Sequence, residues 1–434
     1  MRSKPRPATG QGQRPSVKFA TWNVDARMSD LSPNSRLRQV LALGCTQTIA
    51  WASSTYLPAI LAQPIARDLS ITRSTVFGAF SISLVVMALA GPAVGRAIDR
   101  NGGRGVLVLS NLVLAAGLVM LGIASNVALL FSAWCVLGVG MAMGLYDAAF
   151  STLVRLHGHA AREPITGITL IAGFASTVGW PLTAFLAEHF GWRASCFAWA
   201  AMHICIALPV NLRYIPSISN GAPKPSSGTP SALPVPDIAP HPQPMSGEQH
   251  RAFVLLALFA AFTAFVTSAM AAHLPGLLLA SGASAVTALT ASALLGPAQV
   301  AARLFEFVAA RRYGFHPLLS ARLATALHPI GGLALGVFGG LPLAASGFAL
   351  LHGAGNGMIT IAKGTLPLTI FGSAGYGYRQ GLLNVIARAM QALAPFAFGL
   401  VLYAYGVRAA IGLSAGLSLM ALGALLALRK TQEP

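Results

Sequence analysis

Charge is scarce in this sequence. Asp, Glu, Lys and Arg make up 9% of its 434 residues, where a soluble globular domain carries about 25%. That scarcity excludes an ordinary water-soluble surface, and 55% hydrophobic residues with a mean hydropathy of +0.66 place the chain in a bilayer. Acidic residues are scarcest, 11 against 29 Lys and Arg, for a formal net charge of +18. An excess of bases points to nucleic acid only where they cluster on soluble structure beside stacking aromatics. Here they are scattered between apolar runs, so no nucleic-acid partner is implied. The four cysteines, Cys45, Cys135, Cys196 and Cys205, fall inside those runs and read as small buried hydrophobes rather than a disulfide or zinc framework. No C-x-x-C, H-E-x-x-H, P-loop or G-x-S-x-G context occurs, so neither a metal nor a cofactor is implied.

What is present is a series of long apolar segments. Residues 1–36, rich in Arg, Pro, Ser and Gln, lack the apolar stretch of a signal peptide and read as a disordered basic tail. A spanning helix needs about 20 apolar residues. On that measure six candidates lie at 39–63, 74–98, 105–124, 127–150, 164–187 and 193–213, within a first half covering 37–213. Residues 214–249 form a Pro-rich linker. Six more candidates, at 251–275, 285–310, 317–339, 341–363, 379–402 and 406–428, make up a second half covering 250–430, followed by a short tail at 431–434. The fold class expected is an all-α membrane protein of twelve transmembrane helices. Gly91-Pro92-Ala93 recurs as Gly296-Pro297-Ala298, and Gly167 and Pro181 recur as Gly381 and Pro395, in matching helices. The two halves therefore read as a pseudo-symmetric repeat. With both termini cytoplasmic, 24 of the 29 bases fall on the cytoplasmic side, Lys363 and Arg303 counted among them. The expected location is the cell (inner) membrane, multi-pass.

Between the second and third helices runs GPAVGRAIDRNGGRGVL, residues 91–107, in which Gly95, Asp99, Arg100, Gly102 and Arg104 stand as G-x-x-x-D-R-x-G-x-R. Twelve spans, a central linker, a duplicated half and this loop together resemble the major facilitator superfamily over 37–430. The resemblance implies one cavity lined by helices 1, 4, 7 and 10, opened alternately to each side by rocking of the halves. It also implies that the loop is a gate: Asp99 would engage helix ends of the opposite half, while Arg100 and Arg104 steady the loop on headgroups. The plainer alternative, which the gating role outweighs, is that Gly95 and Gly102 form a tight turn and the bases are ordinary topology signals. The chain departs from family signatures at Trp134, where proton-driven members carry an Arg before Gly138. It also lacks the glycine-rich G-P-x-x-G-G pattern of drug antiporters around Gly179, Trp180 and Pro181.

Charged residues within spans are costly, about 2.5–3.5 kcal/mol each on insertion scales, and mark function. Arg388 in the eleventh helix, with Asn384 and Gln391 on its face, offers paired donors to a carboxylate. In the eighth helix Arg303 and Glu306 lie one turn apart and read as a substrate cation with a proton-coupling carboxylate, or as an internal ion pair. Arg303 and Arg388 stand where the resemblance to oxalate and formate antiporters and monocarboxylate carriers puts cations. Gln47 and Trp51 share a face in the first helix. His352 and Asn356, followed by Thr360 and Lys363, form a polar stripe in the tenth, with His352 either a proton site or a structural histidine. Asp147 is read as a proton site or as the partner of Arg155 or Arg162. The Gly-x-x-x-Gly pairs at 140 and 144, 353 and 357, and 412 and 416 signal close helix packing.

The expectation is a monomeric secondary transporter working by alternating access, moving a small anionic metabolite such as a carboxylate by proton coupling or anion exchange. Efflux of drugs or other toxic compounds is the alternative. A membrane-embedded enzyme would need nucleophile and base converging at one depth, which the pattern does not offer. A non-transporting receptor would need a soluble signalling domain.

Overall fold

The computed structural model describes residues 33–217 and 245–428. Residues 1–32, 218–244 and 429–434 lie outside the described residues, and with them most of the expected tails and linker.

All regular structure among the described residues is helical. The first half comprises α1 (Pro33–Ser53), α2 (Leu57–Asp68), α3 (Arg73–Asn101), α4 (Gly103–Gly122), α5 (Val127–Gly144), α6 (Tyr146–His157), α7 (Arg162–Ala172), α8 (Ala175–Met202) and α9 (Leu208–Tyr214). The second comprises α10 (Gly247–Ala280), α11 (Ala285–Ala293), α12 (Leu295–Tyr313), α13 (Pro317–Phe338), α14 (Pro342–Phe371) and α15 (Tyr376–Ala427). Short breaks join α1 to α2, α5 to α6, α7 to α8 and α11 to α12 into single passes. Gly191 (φ 84°) and Gly406 (φ 80°) turn the chain inside α8 and α15, because only glycine takes that backbone freely. Divided there, the described residues form twelve helical segments, six before the undescribed stretch 218–244 and six after it, an arrangement that fits the expected count. Helix α1 starts at Pro33, inside the stretch assigned to the tail, since proline is preorganised for a first helical turn.

Seven helical runs among the described residues are long and apolar enough to cross a membrane on their own. Pass 1 and α14 fall outside that set, and both carry polar residues along one side, Gln39 and Gln47 on α1 and His352, Asn356 and Lys363 on α14. Helix starts are set locally. Asn126 Oδ1 accepts from Leu129 N–H at 2.9 Å, Thr72 Oγ1 accepts from Thr75 N–H at 3.2 Å, and Ser246 with Gln249 forms a capping box at α10.

Each half has its own apolar core. One gathers Leu61, Ile65, Leu118, Leu137, Trp134 and Trp199, the other Phe265, Met270, Leu277, Phe348 and Phe398. The outer surface is apolar too, with Leu89, Leu343 and Phe396 exposed, as a lipid-facing surface must be. Cys45 and Cys205 lie on that surface rather than in a core; only Cys196 is buried. Glycine packing is close where Gly140 meets Leu114, Gly144 meets Ser110 and Gly353 meets the Leu295 carbonyl. Gly412 and Gly416 have nothing within 4 Å, so that expected packing pair is absent. The end of the bundle bearing the start of α1, the Gly102 turn and the start of α15 is called basal here; the other is apical.

Candidate functional site

The loop singled out in the sequence sits at the basal end of the seam between α3 and α15. Gly102, at φ 78°, both ends α3 and opens α4, and a methyl on Gly103 would overlap Thr152. Asp99 thereby projects from the last turn of α3 across to the other half. Its Oδ1 accepts from Gly377 N–H and its Oδ2 from Tyr378 N–H, both at 2.9 Å. These are among the orphan donors of the first turn of α15, where the helix dipole favours an anion. Arg96 lies over the Tyr378 ring at 5.0 Å. Arg104 donates to the Leu212 carbonyl at 2.7 Å, within its own half, rather than pointing only to headgroups. The seam is formed by glycines on both sides: a methyl on Gly95 would overlap the Gly377 carbonyl, and one on Gly381 would lie 2.7 Å from that of Gly91.

Deeper along the same seam, charges from both halves meet. Arg388 on α15 lies 3.4 Å from Asp147 on α6 and donates to Gln391 Oε1 at 2.7 Å. Of the two readings of Asp147, a proton site or the partner of Arg155 or Arg162, the pairing is replaced by one from the other half: α15 packs on α3 through Gly91, Gly95, Gly377 and Gly381, and α6 lies beside the same seam. Lys363 joins this group from α14, with Asp147 and Arg388 as its charged neighbours. Counting Lys363 among the cytoplasmic bases does not lead here, whereas its place on the polar stripe does. The signal was available, since Lys363 continues the stripe of His352, Asn356 and Thr360. A narrow cavity touches Asp147, Asn384 and Arg388, and a second touches Lys363, Gln380 and Asn384. Each has room for only about one or two water molecules. Arg388 Nε, Asn384 Nδ2 and Gln380 Oε1 are buried with no hydrogen-bond partner among the described residues.

Arg303 is placed apart from this group, on the seam between α12 and α7. It is buried, donates to the Thr169 carbonyl of the first half at 2.9 Å, and approaches the Gly357 carbonyl at 3.4 Å. No ion pair forms with Glu306 among the described residues, so the expected internal pair is replaced by carbonyl contacts. Tyr146 and Tyr56 stand beside the guanidinium, two aromatic residues that sequence reading did not single out. Trp51 packs on Tyr146 at 4.9 Å between ring centroids, with its Nε1 unpartnered among the described residues, and Gln47 donates to the Gly144 carbonyl at 2.5 Å. Asn356 accepts from Thr267 of α10 at 2.8 Å.

Two candidates turn elsewhere. His352 is buried against His328 of α13, ring centroids 4.4 Å apart, and lines neither cavity. The stripe drifts around α14, so its apical end faces the neighbouring helix within the half while Lys363 faces the seam. Glu306 is buried on α12 with Arg162 of the first half as its charged neighbour, and its Oε2 is unpartnered among the described residues. Two further contacts cross between the halves near this end: Arg162 donates to the Phe315 carbonyl, and Glu163 and Arg311 form an exposed pair at 3.7 Å.

Two sets of apolar helices meeting over a charged, glycine-lined seam define a multi-pass membrane transporter. The chain belongs to the Major Facilitator Superfamily, whose sequence model matches residues 43–362. A curated relative, an uncharacterized 38 kDa protein in the 23S RNA operon of Thermoproteus tenax, is 28% identical over 359 residues, covering 82% of this chain and 86% of the relative. Among solved structures, the human organic anion transporter MFSD10 (TETRAN) is similar, with TM-score 0.68, 18% identity, and coverage of 91% of this chain and 100% of that one. FucP, a Major Facilitator Superfamily transporter in the outward conformation, gives TM-score 0.69, 13% identity, and coverage of 92% and 100%. The protein is a secondary transporter rather than an enzyme, and it works in a lipid bilayer on a small molecule.

Proposed function

We propose that the chain moves a small anionic metabolite, such as a carboxylate, across the cell (inner) membrane by alternating access, with both termini cytoplasmic and the basal end facing the cytoplasm. The observation that carries this reading is Arg388. It is an intramembrane guanidinium whose Nε is unspent, set beside the unspent Asn384 Nδ2 at a seam that both halves share. Guanidinium and amide donors converging in an apolar site match a carboxylate's two acceptor oxygens. Arg303, with Tyr56 and Tyr146 beside it and Trp51 packed on both rings, is a separate cation on the α12–α7 seam that contacts substrate outside the Arg388 group, while Gln391, Gln47 and Asn356 offer further polar atoms. MFSD10, named as an organic anion transporter, is consistent with an anionic cargo.

Asp99, with Gly95, Arg100, Gly102 and Arg104, acts as the basal gate, holding α15 while the apical side is open. Coupling runs through Asp147 or Glu306, by proton movement or by exchange of one anion for another. His352, packed on His328, serves structure instead. Each chain contains a whole site, so the monomer is the transporting unit. The test is counterflow of labelled anionic metabolites in proteoliposomes. Arg388→Ala and Arg303→Ala are expected to lose it; transport of every anionic candidate left intact in both variants overturns the reading.

A further inference from the structure

We infer that Lys363 is a specificity-determining residue of the transport site, holding the anion's charge directly and setting a preference for a single negative charge. This rests on the anionic reading above. Helix α14 continues beyond Lys363 to Phe371, which puts the residue about 12 Å of helix rise inside the helix end. That is too deep for the four-carbon stem to deliver its ammonium to the headgroups. Lys363 has no hydrogen bond or ion pair within 4 Å to any described residue. Its cavity is walled by Phe259, Leu366 and Pro367, and the polar atoms offered there include Gln380 Oε1 and Asn384 Nδ2, which have no hydrogen-bond partner among the described residues.

An ammonium in such surroundings is strongly penalised unless an anion meets it. Arg388 already has Asp147 at 3.4 Å and Gln391 at 2.7 Å. Lys363 therefore carries the one positive charge that the group of Lys363, Arg388 and Asp147 does not cancel. A singly charged anion brought to Lys363 neutralises the group. A doubly charged one leaves a net negative charge in a low-dielectric seam, where charge imbalance is costly. Asp147 thus limits the site to one negative charge, and Lys363 receives it.

The full-length protein in proteoliposomes tests this by counterflow of labelled lactate and benzoate against labelled malonate and succinate. Lys363→Gln is expected to lower monovalent transport about tenfold, the loss of one charge-assisted contact, and Lys363→Arg to keep most of it. Asp147→Asn is expected to raise the ratio of divalent to monovalent transport, which a purely structural role for either residue would not do. Thermal unfolding in detergent separates a lost site from a lost fold. If Lys363→Gln does not fold, the Asp147→Asn ratio decides, and an unchanged ratio overturns the inference. Full monovalent transport by Lys363→Gln alongside loss in Arg388→Ala overturns it too, while leaving the anionic reading in place. Wild-type protein that moves none of the four probes overturns both.

Discussion

Asp99 is a carboxylate spending both oxygens on two consecutive N–H groups of a helix belonging to the other half of the molecule. A cap of this kind contributes about 0.5–2 kcal/mol, and its charge adds to that at a helix N-terminus. Because the bond crosses the seam, that energy stabilises one arrangement of the halves over another rather than the fold of either. Asp99→Asn keeps the shape, loses the charge and offers one good acceptor where there were two. The basal-closed population is then expected to fall several-fold relative to the basal-open one, about the factor that 1 kcal/mol allows. Exchange rate at saturating substrate should change, while substrate affinity measured within one state stays the same. A large loss of binding in folded Asp99→Asn protein would count against the gating role.

At the level of elements, the meeting of α3 with α15 depends on two pairs of glycines, and the internal repeat supplies its own control. Gly95 abuts the Gly377 backbone, so a methyl there has nowhere to go, whereas Gly296, the repeat counterpart of Gly91, has nothing within 4 Å. Gly95→Ala is therefore expected to hold the basal end open and slow transport strongly. A cysteine replacing Ser151, which lines the seam cavity, should then be alkylated faster from the basal side. Gly296→Ala should leave both readouts unchanged, helped slightly by alanine's better helix propensity of about 1 kcal/mol. Equal effects from the two substitutions would mean that replacing any glycine in these helices, rather than the seam contact, decides. The asymmetry has a physical source, since the two copies of one sequence pattern occupy different surroundings once the halves pack.

For the whole molecule, the cavities hold only about one or two waters each, so substrate entry requires the halves to move apart. A ligand that binds the folded protein raises its stability by about 2.7 kcal/mol at a hundredfold excess over Kd. Purified protein should accordingly unfold at higher temperature in the presence of a transported anion, and not with an uncharged solute of the same size. The shift should vanish in Arg388→Ala. A wild-type shift that survives Arg388→Ala unchanged would place the bound ligand away from the seam.

By itself the sequence determined the membrane, the all-helical class and the signature turn. Each of these follows from local composition: apolar length, glycine that can take positive φ at Gly102, and a cap residue at the right offset. It also marked Arg388, because a guanidinium in the middle of an apolar segment is conspicuous without any partner in view. What only the tertiary structure decided is which charges meet. Asp147 finds Arg388 across 241 positions of chain, Arg303 finds a carbonyl of the opposite half instead of its neighbour Glu306, His352 turns to His328, and Lys363 joins the group at the seam. Electrostatic pairing falls off with distance in space and takes no account of distance along the chain. The partners of buried charges are therefore set by how the two halves pack, which no single stretch of sequence contains.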